Sequence, residues 1–341
     1  MKIVPKILVS ILTKRLQHLF TDYHILGAPQ IGFAPLHGAE MHVFTLLETI
    51  KQQLRLKRSV HVLYLDLRKA FDSISQEGLW KLLENVGVHV AVIDFLRNWA
   101  DSTHARVAVN GYLTEEFRIR CGVAQGNPLS PLLFNLFIEC LSRYIAAETT
   151  GVAMLDVVVK SLLYADDVAC IAPTRSELQT AANVIDHWCN AFGMQIGIGG
   201  GKTEVSDFPP SRAPGPSVRA GSEDAVTVMQ GDDPVALPTT NIYKYLGLML
   251  QNDLAFDAHF KRFLQRARFN FHRYFARNMV TRRTSAFNQF EILRTAVIGS
   301  INYLRAVVHL NRQQRSTVNT FTLYAALRIL GLSEGCSNGL V

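Results

Sequence analysis

The chain has 341 residues, 48% hydrophobic and 18% charged, a balance that supports packed units with sizeable cores and excludes a disordered chain. No apolar run reaches the ~18 residues that a membrane-spanning helix needs, so no membrane partner is expected. The net charge of +7 is uneven: +5 over residues 1–58, −7 over 59–252 and +9 over 253–341, as for a cation-binding middle between surfaces that suit polyanions.

In chain order, Ile7, Leu8, Ile11, Leu12 and Leu16 predict an amphipathic helix over 6–20. A loop from Gly27 to Gly38 precedes a second helix over 39–54. Ser59–Asp66 reads as a buried strand that ends in a carboxylate. Helices are expected over 76–86, stopped by Gly87, and over 90–100. Arg106–Val109 and Phe117–Arg120 flank Asn110-Gly111, a hairpin signal. Ser130 as N-cap with Pro131 in the first turn opens a helix to about Ala147. Val157–Tyr164 and Val168–Ala172 read as a hairpin with Ala165-Asp166-Asp167 at its tip. Ser176–Gln179 reads as a capping box that opens a helix ending at Gly193. Residues 206–222 are a Pro/Gly/Ser-rich loop. Val226–Val228 and Val235–Leu237 form a second hairpin, Tyr243–Leu250 a strand, and the pattern is helical from Asp257 onward.

The five cysteines, Cys121, Cys140, Cys170, Cys189 and Cys336, form no Cys-x-x-Cys pair and have no His at ligand spacing. Neither a zinc site nor a disulfide-linked partner is expected, and a reducing compartment fits. Gly197–Thr203 looks like a phosphate-binding P-loop, but Ile196 stands where its first Gly must be, and Pro209-Pro210 leaves no room for the following helix.

Three aspartates remain. An apolar strand that delivers Asp66 to its end, beside a hairpin carrying Asp166 and Asp167, concentrates charge that repels unless a cation neutralises it. Oxygen ligands of this kind select Mg²⁺ or Mn²⁺. The alternative is that Asp66 caps the next helix and Asp166-Asp167 is an ordinary turn. In the C-terminal block, Phe260, Phe263, Leu264, Ala267, Phe271, Tyr274 and Phe275 recur at helical spacing. They interleave with Lys261, Arg262, Arg266, Arg268, Arg273 and Arg277, followed by Arg282, Arg283 and Arg294. One face of such a segment packs and the other is cationic, suited to phosphates or simply to solvent.

Leu65–Asp72, Gly122–Pro131 and Tyr164–Asp167, in this order and followed by Gly201–Val205 and Tyr245–Gly247, resemble the palm motifs of reverse transcriptases. The likeness is greatest to the non-LTR (LINE-type) retrotransposon enzymes, with group II intron enzymes next, and it covers roughly residues 6–310. It implies an α+β right-hand polymerase: partial fingers over 1–58, a palm with an antiparallel sheet and inserted fingers elements over 59–252, and a basic helical thumb-like region over 253–341. It also implies an RNA-directed DNA polymerase working on an RNA template, a DNA primer and dNTPs, with two-metal transfer to the primer 3′-hydroxyl, acting inside the cell and in the nucleus.

By the same resemblance, Asp66, Asp166 and Asp167 would hold Mg²⁺ (or Mn²⁺), with Leu67 adding a backbone carbonyl. Arg68, Lys69, Ala70, Phe71, Gln125 and Gly126 would surround the dNTP, with Phe71 as the steric gate against a 2′-hydroxyl. Lys202 would protonate the departing pyrophosphate. Tyr245, Leu246 and Gly247 match the primer grip, and Lys261, Arg262 and Arg268 would follow the template–primer duplex. The sequence departs from the family at Ala124, Asn127 and Gly197. Only 65 residues precede Asp66, so the likeness begins partway through the fingers, at Gln30-Ile31-Gly32-Phe33, and no endonuclease module is present. A non-catalytic nucleic-acid-binding remnant of a longer retrotransposon protein is the competing expectation.

Overall fold

The computed structural model describes residues 3–27, 29, 30, 32, 38–124, 126–210, 225–231, 233–276, 284–305 and 307–332. They form two compact units, residues 1–241 and 242–341. No helix among the described residues is long and apolar enough to cross a membrane.

The first unit is built on a four-stranded antiparallel sheet of β1 (Val60–Asp66), β2 (Ser161–Tyr164), β3 (Asp167–Ala172) and β4 (Glu204–Phe208), in the order β4-β1-β3-β2. Its central strand is Val-His-Val-Leu-Tyr-Leu-Asp, and Val60, Val62, Leu63, Tyr64 and Leu65 are all buried. Both faces of the sheet are therefore covered, and the strand reads as an apolar run rather than an alternation.

Besides a single helical turn at Ala70–Ser73, the helices described in this unit are α1 (Ile3–Asp22), α2 (Ala39–Arg55), α3 (Gln76–Asn85), α4 (Val90–Asp101), α5 (Ser130–Glu148) and α6 (Arg175–Phe192). Leu63, Leu65, Val168 and Cys170 share one core with α5 and α6. Across that core Phe137 meets Trp188 and Phe192 edge-on, ring centroids 5.3 Å apart in each pair. α5 is buried nearly all round, as an apolar helix at the centre of a unit must be.

Several expected boundaries shift for local reasons. Ser130 is not the N-cap of α5. Leu129 is, and the buried Ser130 hydroxyl donates to Ala124 O (2.6 Å), while Asn127 Oδ1 accepts from Leu129 N–H (3.0 Å). Helix α6 starts ahead of the expected capping box, because Thr174 lies three residues before Glu177 and accepts its N–H. The two-residue turn Asn110-Gly111 fixes Val109 opposite Tyr112, so Phe117–Arg118 pairs with His104–Ala105 rather than with residues 106–109. Val157–Val159 belongs to a separate hairpin with Val152–Met154, which leaves only Ser161–Tyr164 to pair with β3. The Thr227–Gln230 and Asp233–Ala236 hairpin is close to the expected one. Residues 206–210 of the expected loop are described, the first three within β4; 211–224 lie outside the described residues.

In the second unit, Tyr243–Leu250 is not one strand. Ile242–Tyr245 and Leu248–Gln251 pair as a hairpin around Leu246-Gly247. Both turn residues have positive φ (43° and 86°), the signature of a type I′ turn. A helix α7 (Asp257–Phe271) runs on into a π-helical turn at His272–Ala276, and α8 (Arg312–Leu330) packs against α7. Phe263, Leu264, Ala267 and Phe271 of α7 are buried, whereas Lys261, Arg262, Arg266 and Arg268 are exposed. Arg294 differs from that cationic set in being paired with Glu291 (2.7 Å). Arg277, Arg282 and Arg283 lie outside the described residues.

Candidate active site

Asp66, the last residue of β1, lies opposite Asp167, the first of β3, in the antiparallel ladder. Directly opposed side chains leave the same face of a sheet, where like charges destabilise the pairing. Asp166 sits beside them in the β2–β3 turn, preceded by Ala165 in a left-handed conformation (φ 54°). Lys69, three residues after Asp66, is left-handed as well (φ 48°). Non-glycine residues hold such a backbone at a cost of ~1–3 kcal/mol, and only where the surroundings over-determine it.

Those surroundings can be named. Asp66 N–H donates to Thr203 Oγ1 (3.2 Å), its carbonyl accepts from Gly197 N–H (2.7 Å), and its Oδ1 accepts from the Lys202 ammonium (3.0 Å). A Cβ at position 197 would collide with Asp66 Oδ2, so any larger residue packed there displaces this carboxylate. The Glu204 carboxylate anchors the intervening loop by accepting from Gly201 N–H (2.6 Å).

The carboxylate turn is gripped from behind. Gln30 is buried, and its Oε1 accepts from Gly32 N–H (2.9 Å) and from Ala165 N–H (3.3 Å). Pro29 O accepts from Leu163 N–H (2.8 Å), and Asn135 of α5 donates to Gly32 O (2.5 Å). Gly32 presses so closely on Ala165 that a Cβ would run into the Ala165 nitrogen.

Asp66 and Asp166 line one cavity of about 1020 Å³. Leu67, Arg68, Lys69, Ala70, Phe71, Gly126 and Lys202 line the same cavity; Asp167 is not part of its wall. Phe71 is half-buried, stacked on Phe134 (centroids 4.2 Å, 18°), with its carbonyl accepting from Val123 N–H (2.9 Å). Gln125 lies outside the described residues. Lys6 of α1 and Gln230 also reach the cavity. Neither was expected: a single lysine on an apolar helix carries no spacing signal, and Gln30 and Asn135 act on backbone groups that leave no pattern in sequence.

Donor chemistry decides whether a metal suits this place. Among the described residues no three His, Cys, Asp or Glu groups converge closely enough to hold an ion by themselves. The donors present are carboxylate oxygens, and Mg²⁺ is usually held by one or two carboxylates completed by water and substrate phosphates. The Lys202 ammonium against Asp66 shows that this position accepts positive charge. The residues fit a hard divalent cation that arrives with its substrate.

The profile of the family described as reverse transcriptase (RNA-dependent DNA polymerase) matches residues 1–250. The chain belongs to the reverse transcriptase family. Its curated relatives place it with the non-LTR retrotransposon members. It is 28% identical over 193 residues to the Retrovirus-related Pol polyprotein from type-2 retrotransposable element R2DM of Drosophila melanogaster, covering 57% of this chain and 18% of that protein. It is 24% identical over 269 residues to the Probable RNA-directed DNA polymerase from transposon BS of the same fly, covering 76% and 27%. The RNA-directed DNA polymerase from mobile element jockey of Drosophila funebris is 25% identical over 236 residues, covering 67% and 24%. The chain thus spans about a fifth to a quarter of these relatives' lengths. Among solved structures, apo telomerase from Candida tropicalis matches with a TM-score of 0.51 at 12% identity, covering 94% of this chain and 55% of that one. That likeness is one of fold, and the fold of this reverse transcriptase is the α+β right-hand polymerase.

Proposed function

We propose that this reverse transcriptase chain is the polymerase part of a retroelement protein, acting in the nucleus. It copies an RNA template by transferring nucleotides from dNTPs to the 3′-hydroxyl of a DNA primer. The observation that carries the reading is one cavity that holds Asp66, Asp166, Phe71 and Lys202 together.

Asp66 and Asp166 would hold Mg²⁺ or Mn²⁺, while Asp167 lies opposite Asp66 in the ladder and outside the cavity wall. Bound ions of this kind make an attacking hydroxyl more acidic and stabilise the charge of a leaving phosphate. The remaining work falls to the chain's own groups. Gly197, Thr203 and the Gln30 grip hold the two carboxylates in place. The Lys202 ammonium, 3.0 Å from Asp66 Oδ1, keeps a proton on Nζ for the departing pyrophosphate. Arg68, Lys69 and Lys6 bind triphosphate oxygens. Phe71, fixed against Phe134, fills the space a 2′-hydroxyl would need. Gly126 (φ 82°), with nothing within 4 Å of its Cβ position, lets the nucleotide approach the backbone. Tyr245–Gly247 steadies the primer, and Lys261, Arg262 and Arg268 track duplex phosphates.

Primer extension on an RNA template with dNTPs and Mg²⁺ tests this directly. The purified chain is expected to extend the primer, and Asp66→Asn to reduce extension at least ~10²-fold, as loss of a group that stabilises transition-state charge does. Extension that survives Asp66→Asn, or a chain that neither extends a primer nor binds dNTP in Mg²⁺, would sink the reading.

A further inference from the structure

The hairpin turn Leu246-Gly247 in the second unit is held by a residue far along the chain. Leucine is a costly occupant of its first position, because φ there is 43°. Such a backbone persists only where neighbours fix it. Leu246 is buried, and the hydroxyl of Tyr303, 57 residues later, donates to its carbonyl (2.8 Å). The Tyr303 ring also lies against Gly247, where a Cβ would come within 2.7 Å of a ring carbon. One aromatic side chain thus meets both residues of the turn. Its own segment places it there. Tyr303 follows the short helix Gly299–Asn302, which continues from a π-helical turn at Leu293–Ile298, and it leaves that helix with extended backbone. Ile301 and Leu304 are buried and anchor the segment, whereas Tyr303 is 42% exposed.

The contact fixes the direction of one peptide group. In a trans peptide the C=O and N–H point opposite ways, so anchoring the Leu246 carbonyl on Tyr303 aims the Gly247 N–H away from that ring. Without the anchor the peptide can rotate about its long axis. That rotation needs changes only in ψ of Leu246 and φ of Gly247, and glycine accepts either sign of φ. Gly247 is half-buried, so its backbone meets the surface. Backbone N–H groups are regular donors to nucleic-acid phosphates, where they set register and orientation. We infer that Tyr303 is a positioning residue for the primer: it holds the Gly247 N–H in the orientation that donates to a phosphate oxygen near the primer 3′ end. The inference rests on the reading of Tyr245–Gly247 as the segment that steadies the primer. To that reading it adds the donor atom and the side chain that aims it.

The test pairs a variant of the full chain with a modified primer. Affinity for an RNA template–DNA primer duplex is measured by fluorescence anisotropy, without dNTP. The primers carry a neutral methylphosphonate at each of the phosphates nearest the 3′ end in turn. In the wild-type chain one of these substitutions is expected to weaken binding at least fivefold, as loss of a hydrogen bond to a charged group does. Tyr303→Phe removes only the hydroxyl, and it is expected to weaken binding of the unmodified primer by a similar factor. The two changes together are expected to cost little more than either alone, because both break one interaction. The KM for dNTP and the melting temperature of Tyr303→Phe are expected to stay at wild-type values, which a merely structural tyrosine would not combine with weaker primer binding. Unchanged primer affinity in Tyr303→Phe, or effects of variant and methylphosphonate that multiply at every position, overturns the inference while leaving an active wild-type chain as a polymerase. A wild-type methylphosphonate series with no sensitive position does the same. A wild-type chain that neither binds the duplex nor extends the primer overturns both the inference and the reading beneath it.

Discussion

Asp66 is fixed through its amide, its carbonyl and one carboxylate oxygen, by Thr203, Gly197 and Lys202 respectively. Gly197 is the most exacting of these partners, because even a methyl group there would displace the carboxylate. A misplacement of about 1 Å at a reacting centre costs roughly 10²-fold in rate. Gly197→Ala is therefore expected to lower primer extension by about 10- to 100-fold, with a far smaller effect on thermal unfolding. A fully active Gly197→Ala chain would show that the carboxylate has room to move. The importance of Asp66 and Asp166 was legible in sequence, since an apolar strand ending in a carboxylate is a local pattern. The need for glycine at 197 was not: the residue was visible only as a departure from the family, and the reason for it is the close approach of a strand from much earlier in the chain.

At the level of elements, the β2–β3 turn carries Asp166 but is held in shape by the short segment around Gln30. Gln30→Ala removes the acceptor of two backbone N–H groups, those of Gly32 and Ala165. Each buried donor left unpaired costs about 1–3 kcal/mol. Urea unfolding is expected to register a loss of that order, together with reduced extension; unchanged stability would mean that the turn holds itself. The opposite end of the sheet has a different device. Asp207 on β4 faces His61 on β1 across the ladder, with His61 Nδ1 at 2.7 Å, and Arg175 at the start of α6 also donates to it. Burial pushes the Asp207 carboxyl up, but the hydrogen bonds and charges of His61 and Arg175 outweigh that and leave it below its usual value. A carboxyl lowered on folding contributes stability above its unfolded pKa of about 4, and that contribution disappears as pH falls through the lower folded value. Asp207→Asn is thus expected to flatten the fall in melting temperature below about pH 4; an acid limb identical to wild type would contradict the assignment. Element types were readable from periodicity and turn residues, whereas strand partners were not. Asn110-Gly111 announced its hairpin, but only the two-residue register shows that Phe117 pairs with Ala105.

For the whole molecule, the uneven charge now has locations. The acidic middle of the sequence contains the carboxylate end of the sheet, and the basic C-terminal block contains the exposed face of α7. Duplex affinity is expected to fall linearly with salt on logarithmic axes, and neutralising Lys261, Arg262 or Arg268 to reduce the slope by about one for each phosphate that then keeps its counterion. A slope unaffected by all three substitutions would remove α7 from the interface. The division into fingers, palm and thumb rests on the resemblance, while the structure divides at 241/242. Composition does not mark that point, because apolar residues supply a core on either side of it. The grip on the carboxylates also has a consequence in time. Asp66 waits for Thr203 and Lys202, 137 and 136 residues later, and Ala165 reaches back 135 residues to Gln30. At ~5–20 residues per second of synthesis, the ribosome releases β1 many seconds before the loop that restrains its terminal carboxylate. A nascent or cleaved chain lacking Lys202 and Thr203 would carry Asp66 without those two restraints, so the geometry of the proposed site is complete only when the first unit nearly is.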